Sequence, residues 1–125
     1  MDNAVEQYKP YKFALVFESY EISGYVTEKI VNAFLAGVVP IYWGNELVRE
    51  IFNPQAFVNA ADFENLESLA DYVISLANSP VRYQSMRQAE PLLPGAMYDY
   101  LFVFVCSSFL SDSNLTSKVY VSLNF

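Results

Sequence analysis

The chain has no histidine and a single cysteine, Cys106, among its 125 residues. Those scarcities exclude an internal disulfide, a His/Cys metal cluster and a Ser-His-Asp or Cys-His nucleophile built from this sequence. Glycine is thin as well: four residues lie scattered, and neither a G-x-G-x-x-G stretch nor a Walker loop occurs. Asp-x-Asp is also missing, so nothing supports a diphosphate bridged to the protein by a metal. Positive charge is scarce, with seven Lys and Arg against fourteen Asp and Glu and a net charge of -7 at pH 7. That balance argues against nucleic acid as a partner, because phosphate backbones are held mainly by Lys and Arg. A single nucleotide is not excluded, since it needs only one or two local cations. Long apolar runs are lacking too. The stretch LFVFVCSSFL, residues 101–110, is too short to cross a bilayer. The opening MDNAVEQYKPYK has no basic-then-apolar pattern of a signal peptide. No membrane segment is therefore expected in this chain. The sequon Asn114-Leu115-Thr116 would matter only in a secretory compartment.

What is present is enough apolar material, 54% of the residues, for one small domain with a real core. FALVF, residues 13–17, is a short continuous apolar run that suits a strand buried on both faces. After the Ser23-Gly24 turn, Thr27 is placed to cap a helix whose Ile30, Val31, Phe34 and Leu35 share one stripe, with Gly37 as its stop. VVPIYWG reads as a second buried strand, with Pro40 near an edge or entry point. The whole span matches the roughly 30 residues of a parallel strand-helix-strand crossover. Phe57 and Val58 suggest a brief third strand. Leu66 to Ala77 reads as an amphipathic helix capped by Asn65, with Leu66, Leu69, Ala70 and Val73 on one face. Pro80 to Ala89 suggests a further short helix with proline at its first position. The predicted fold class is α/β, a Rossmann-like, mostly parallel sheet with flanking helices over residues 1–95. From Ala96 the texture changes to Ser, Phe and Val with no clear helical period, and residues 96–125 read as either a divergent tail or an out-of-frame segment.

One pair of charges stands out: Glu28 and Lys29, side by side where the first helix begins, directly after a buried strand. In a parallel sheet the loop from a strand's carboxyl end into a helix is where ligands bind. The helix's first turn offers unpaired N–H groups and the positive end of the dipole, which attract phosphate. Lys29 adds a full positive charge for a diphosphate. Glu28 is unsuited to phosphate but accepts hydrogen bonds from sugar hydroxyls lying beside it. Together they describe a site for a nucleotide sugar. On the residues alone the plainer account is the stronger one, because Glu and Lys are common on helix surfaces and the dipole by itself favours a glutamate there. Tyr25 is equally divided between a pocket wall and packing on the helix start. Glu18 and Ser19 read as turn formers, Trp43 as core or pocket wall, and Arg49, Arg82 and Arg87 as surface charge.

The motif YKFALVFES…GYVTEKIVNAFLAGVVPIYWG…FNPQAFVNAADF shifts that balance. From Tyr11 to about Leu93 it closely resembles the C-terminal, donor-binding domain of the α-1,3-fucosyltransferases, glycosyltransferase family 10. The resemblance implies half of a B-type glycosyltransferase fold and an inverting transfer of fucose from GDP-fucose to a hydroxyl of N-acetylglucosamine in a glycan acceptor, with no metal. It implies that Lys29 neutralises the GDP diphosphate, that Glu28 contacts donor sugar hydroxyls and that Tyr25 lines the donor site. Ser19 departs from the family pattern: FES stands for FEN, so a hydroxyl replaces a donor-contacting amide. Ala14 stands where relatives often carry a polar or aromatic residue beside the donor.

The family's general base is a carboxylate of the N-terminal acceptor domain, and a further arginine for the diphosphate lies upstream of YKF. Neither matches a residue here, so no catalytic residue is assigned, and this chain alone is expected not to transfer fucose at a useful rate. The competing expectation is a non-catalytic α/β module that binds a nucleotide or a protein. Compartment follows source: Golgi in a eukaryote, cytoplasm in a bacterium.

Overall fold

The computed structural model describes residues 2–18 and 29–94. Along the chain run α1 (Asp2–Tyr8), β1 (Phe13–Phe17), α2 (Lys29–Ala36), β2 (Val39–Trp43), α3 (Val48–Ile51), β3 (Val58–Asn59), a 3-10 turn (Ala60–Asp62), α4 (Leu66–Ala77) and α5 (Pro80–Gln88). The strands form one three-stranded sheet in the order β1-β2-β3. Both pairings are parallel, with Phe13 opposite Val39, Phe17 opposite Trp43 and Ile41 opposite Val58. This is the α/β architecture that the alternation of strand-like and helix-like segments predicts.

Strand side chains alternate between the two faces, so the sheet builds two cores. On one face Ala14, Val16 and Tyr42 pack with Ile30, Val31 and Ala33 of α2 and with Ile51, Phe52 and Phe57. On the other, Val39, Ile41 and Val58 pack with Leu69 and Leu76 of α4 and Tyr83 of α5. Ile30 is fully buried, and removing such a side chain from water contributes about 2 kcal/mol. Gly37 stops α2 where the sequence places the stop, at a φ of 76° that a side chain disfavours. Arg87 of α5 donates its Nε–H to the Gly37 carbonyl at 2.8 Å and ties that turn to the far layer. Helix α4 begins at Asn65 with a reciprocal cap, Asn65 accepting from the Ser68 N–H at 2.8 Å while the Ser68 hydroxyl accepts from the Asn65 N–H at 3.3 Å.

Three expectations are revised. β1 is not buried on both faces: Leu15 is 67% and Phe17 44% exposed, because β1 is the edge of the described sheet and of its outer residues only Phe13 reaches the core beneath α4 and α5. Pro40 lies in the central strand, at the strand's second residue, which is the entry point of the two positions the sequence allows. It costs no ladder bond there. The Val39 N–H bonds to the Lys12 carbonyl on the β1 side, so the next residue faces β3, whose pairing starts only at Ile41. In α4 the buried side chains are Leu69 and Leu76, while Leu66 is 76% exposed and Ala70 lies outside, so the inward stripe is rotated from the predicted one. The third strand runs one residue later than the Phe57-Val58 pair. Helix α1, for which the sequence offers no periodic stretch, packs on α2 with Val5 buried. The segment from Ala96, with its sequon, lies outside the described residues.

Candidate functional site

All three strands run the same way, so their carboxyl ends, Phe17, Trp43 and Asn59, open on one side of the sheet. Lys29 reaches that side from the start of α2. Its side chain is half-buried, and the Nζ donates to the Phe17 carbonyl at 3.3 Å. The ammonium is thus seated at the end of β1, on the first described residue of α2. Of the other predicted site residues, Ser19, Tyr25 and Glu28 lie outside the described residues, as does Thr27. Ala14 is buried at 5% exposure on the α2 face of β1, packed in the core with Val16 and Ile30.

One site residue was read from the sequence as nothing more than a turn former. Glu18 is only 6% exposed. Its Oε2 accepts from the Tyr42 hydroxyl at 3.1 Å, and the same Tyr42 oxygen accepts from the Asn45 N–H at 3.0 Å. The Glu18 N–H itself donates to the Trp43 carbonyl at 3.0 Å. The register explains the juxtaposition. Phe17 faces Trp43, so Glu18 is level with Gly44, and a Cβ on Gly44 would lie 2.4 Å from Glu18 Cγ and 2.8 Å from the Tyr42 hydroxyl oxygen. Glycine is needed here for the close approach. The signal in the sequence is a glutamate one residue beyond β1 and a glycine one residue beyond β2, and it becomes readable only once the register is known.

On the α4 face the same strand ends wall a cleft of about 400 Å³, lined by Phe17 and Trp43 together with Ala60, Phe63, Asn65, Leu66 and Leu69. Trp43, 51% exposed, is therefore a pocket wall rather than core, and its ring sits 6.3 Å from that of Phe17. Phe17 belongs to both features: its carbonyl meets the ammonium and its ring meets the cleft. Beyond β3, Arg49 bridges Asp62 and Glu46, each at 2.7 Å, and the two carboxylates, Asp62 foremost, push its pKa further up. Among the described residues no group of three His, Cys, Asp or Glu side chains is placed to hold a metal ion. No helix among them is long and apolar enough to cross a membrane.

The parallel sheet with helices on both faces defines a Rossmann-like α/β domain. Residues 1–90 match the family described as glycosyltransferase family 10 (fucosyltransferase), C-term, and the chain belongs to that family. It is 42% identical over 100 residues to the alpha-(1,3)-fucosyltransferase FucT of Helicobacter pylori, covering 78% of this chain and 21% of that protein. It is 42% identical over 77 residues to alpha-(1,3)-fucosyltransferase 4 of Homo sapiens, covering 59% of this chain and 14% of that one. Among solved structures, an alpha1,3-fucosyltransferase with GDP-fucose superposes with a TM-score of 0.71 at 35% identity, over 90% of this chain and 36% of that one. The same kind of enzyme with GDP gives 0.71 at 34% identity, over 93% of this chain and 36% of that one. This chain therefore spans about a fifth or less of the two curated relatives and about a third of the solved chains. Its fold is part of the C-terminal half of a B-type glycosyltransferase.

Proposed function

We propose that residues 1–95 bind GDP-fucose and supply the donor half of an inverting α-1,3-fucosyltransferase acting on an N-acetylglucosamine hydroxyl of a glycan. The observation that carries the reading is the Lys29 ammonium at the carboxyl end of β1, 3.3 Å from the Phe17 carbonyl. A cation held there, beside the amides that open α2, suits the diphosphate of a sugar nucleotide. The similarity to solved fucosyltransferases with GDP and with GDP-fucose supports the choice of guanine nucleotide.

In this reading Lys29 neutralises the diphosphate, Glu28 accepts from the fucose hydroxyls, and Tyr25 and Ser19 line the donor pocket, while Ala14 packs in the core on the α2 face of β1. As fucose departs from GDP, negative charge grows on the terminal phosphate, and a fixed ammonium stabilises it more than it stabilises the bound donor. With no Asp-x-Asp in the sequence, that charge is met by Lys29 and helix N–H groups without a bridging metal. The carboxylate that takes the proton from the acceptor is assigned to an acceptor domain, with which this chain would act in the whole enzyme.

Titrating GDP-fucose, GDP and ADP into the chain by calorimetry tests the reading. Binding of both guanine nucleotides with ADP clearly weaker, unchanged by a chelator, is expected. Equal affinity for ADP, or no binding of any nucleotide, would instead favour an α/β module without a donor site.

A further inference from the structure

We propose that Glu18 is a positioning residue for the Lys29 ammonium, with Tyr42 and Gly44 forming its seat; the inference rests on the donor-diphosphate reading above. The link is one peptide unit. The N–H of the Phe17–Glu18 peptide donates to the Trp43 carbonyl at 3.0 Å, and its oxygen, Phe17 O, accepts from Lys29 Nζ at 3.3 Å. A trans peptide is planar, with its oxygen and its N–H on opposite sides, so whatever holds the Glu18 end fixes where the Phe17 oxygen points. Phe17 is the last residue of the β1–β2 ladder, and Glu18 lies one residue beyond it. Its side chain adds a second hold to that backbone bond, through the Tyr42 hydroxyl at 3.1 Å.

The seat is built for a carboxylate. Glu18 is 6% and Tyr42 1% exposed, and burying a carboxylate is costly without donors facing it. Tyr42 is oriented as donor toward Glu18 because its oxygen already accepts from the Asn45 N–H at 3.0 Å. Gly44 leaves the space: a single methyl there would lie 2.4 Å from Glu18 Cγ, a mid-chain atom that cannot swing clear while the carboxylate stays on Tyr42. A residue serving only to turn the chain needs none of these three features. The chain thus places an acid-phenol-amide relay behind the carbonyl that aims its diphosphate-binding lysine.

The test uses the whole 125-residue chain. GDP is titrated by calorimetry into the unmodified chain, Tyr42→Phe, Lys29→Met and the double variant, each with a melting curve. Losing the hydroxyl, and with it both hydrogen bonds of the relay, should weaken GDP binding about three- to tenfold in Tyr42→Phe. It should have no further effect once Lys29 is methionine, because the relay acts through that ammonium. Equal weakening in both backgrounds, or none in either, overturns the proposal. A ligand-free measurement runs alongside: with lysine labelled at 13Cε, the resonance absent from Lys29→Met identifies Lys29, and it should shift in Tyr42→Phe and in Gly44→Ala. An unmoved resonance in folded variants overturns the positioning role. If the unmodified chain binds no GDP, the donor reading fails, and the resonance alone decides the role of Glu18.

Discussion

Replacing Asn32 with alanine should stabilise the protein, although truncating a buried side chain ordinarily does the opposite. Asn32 sits in α2 between Val31 and Ala33, is 4% exposed, and its Oδ1 has no hydrogen-bond partner among the described residues. A buried acceptor left unpaired costs about 1–3 kcal/mol, and asparagine is worse than alanine inside a helix by about 0.6 kcal/mol. Against those gains, deleting the amide forfeits about 1 kcal/mol of packing. The balance is a stabilisation of about 1 kcal/mol, which in a domain of this size raises the melting midpoint by about 4–8 °C. Urea unfolding followed by far-ultraviolet circular dichroism measures it, with Leu76→Ala as the control. Leu76 is 2% exposed and purely apolar, so its truncation should cost about 2–4 kcal/mol. A fall in midpoint for Asn32→Ala comparable to that control would show that the amide oxygen is satisfied, and the reasoning about α2 would be wrong.

Two further predictions concern the layer on the other side of the sheet. Asn65→Ala removes the acceptor for the Ser68 N–H, should cost about 1 kcal/mol in the same urea experiment, and should be rescued by Asn65→Asp. Burial raises the Tyr83 pKa above the ordinary phenol value of 10.0, an effect opposed by the nearby Arg87 guanidinium, and the neutral hydroxyl donates to the Lys12 carbonyl at 2.8 Å. The folded chain therefore holds that proton more tightly than the unfolded one, so this contribution to stability is intact below 10.0 and is lost as pH climbs through the raised value. Melting curves taken across that window should fall more steeply for the unmodified chain than for Tyr83→Phe, and parallel curves would contradict the assignment.

The strand-helix-strand unit at the heart of the fold was legible because its signals are local. A continuous apolar run gives way to helical spacing, and a glycine ends the helix where φ must be positive. Helix α4 was legible at both ends for the same reason, through Asn65 before it and Pro80, which opens the next helix, after it. Helix α1 was not, because its stability comes from packing on α2 rather than from a periodic face, and Val5 alone carries little pattern. Which side of α4 turns inward, and that Leu15 and Phe17 remain exposed, depend on where neighbouring elements lie across the sheet. In the site, the position of Lys29 at a helix start could be read directly, whereas its carbonyl partner could not. Glu18 was missed because its burial follows from a parallel register that sets it against Gly44, a pairing between residues 26 positions apart that no local pattern reveals.

A crystal structure of the chain with GDP tests the central claim most directly. The diphosphate should lie at the carboxyl ends of β1 and β2, with a phosphate oxygen within hydrogen-bond distance of Lys29 Nζ and others facing the first amides of α2. Well-ordered GDP whose phosphates sit away from that ammonium would contradict it.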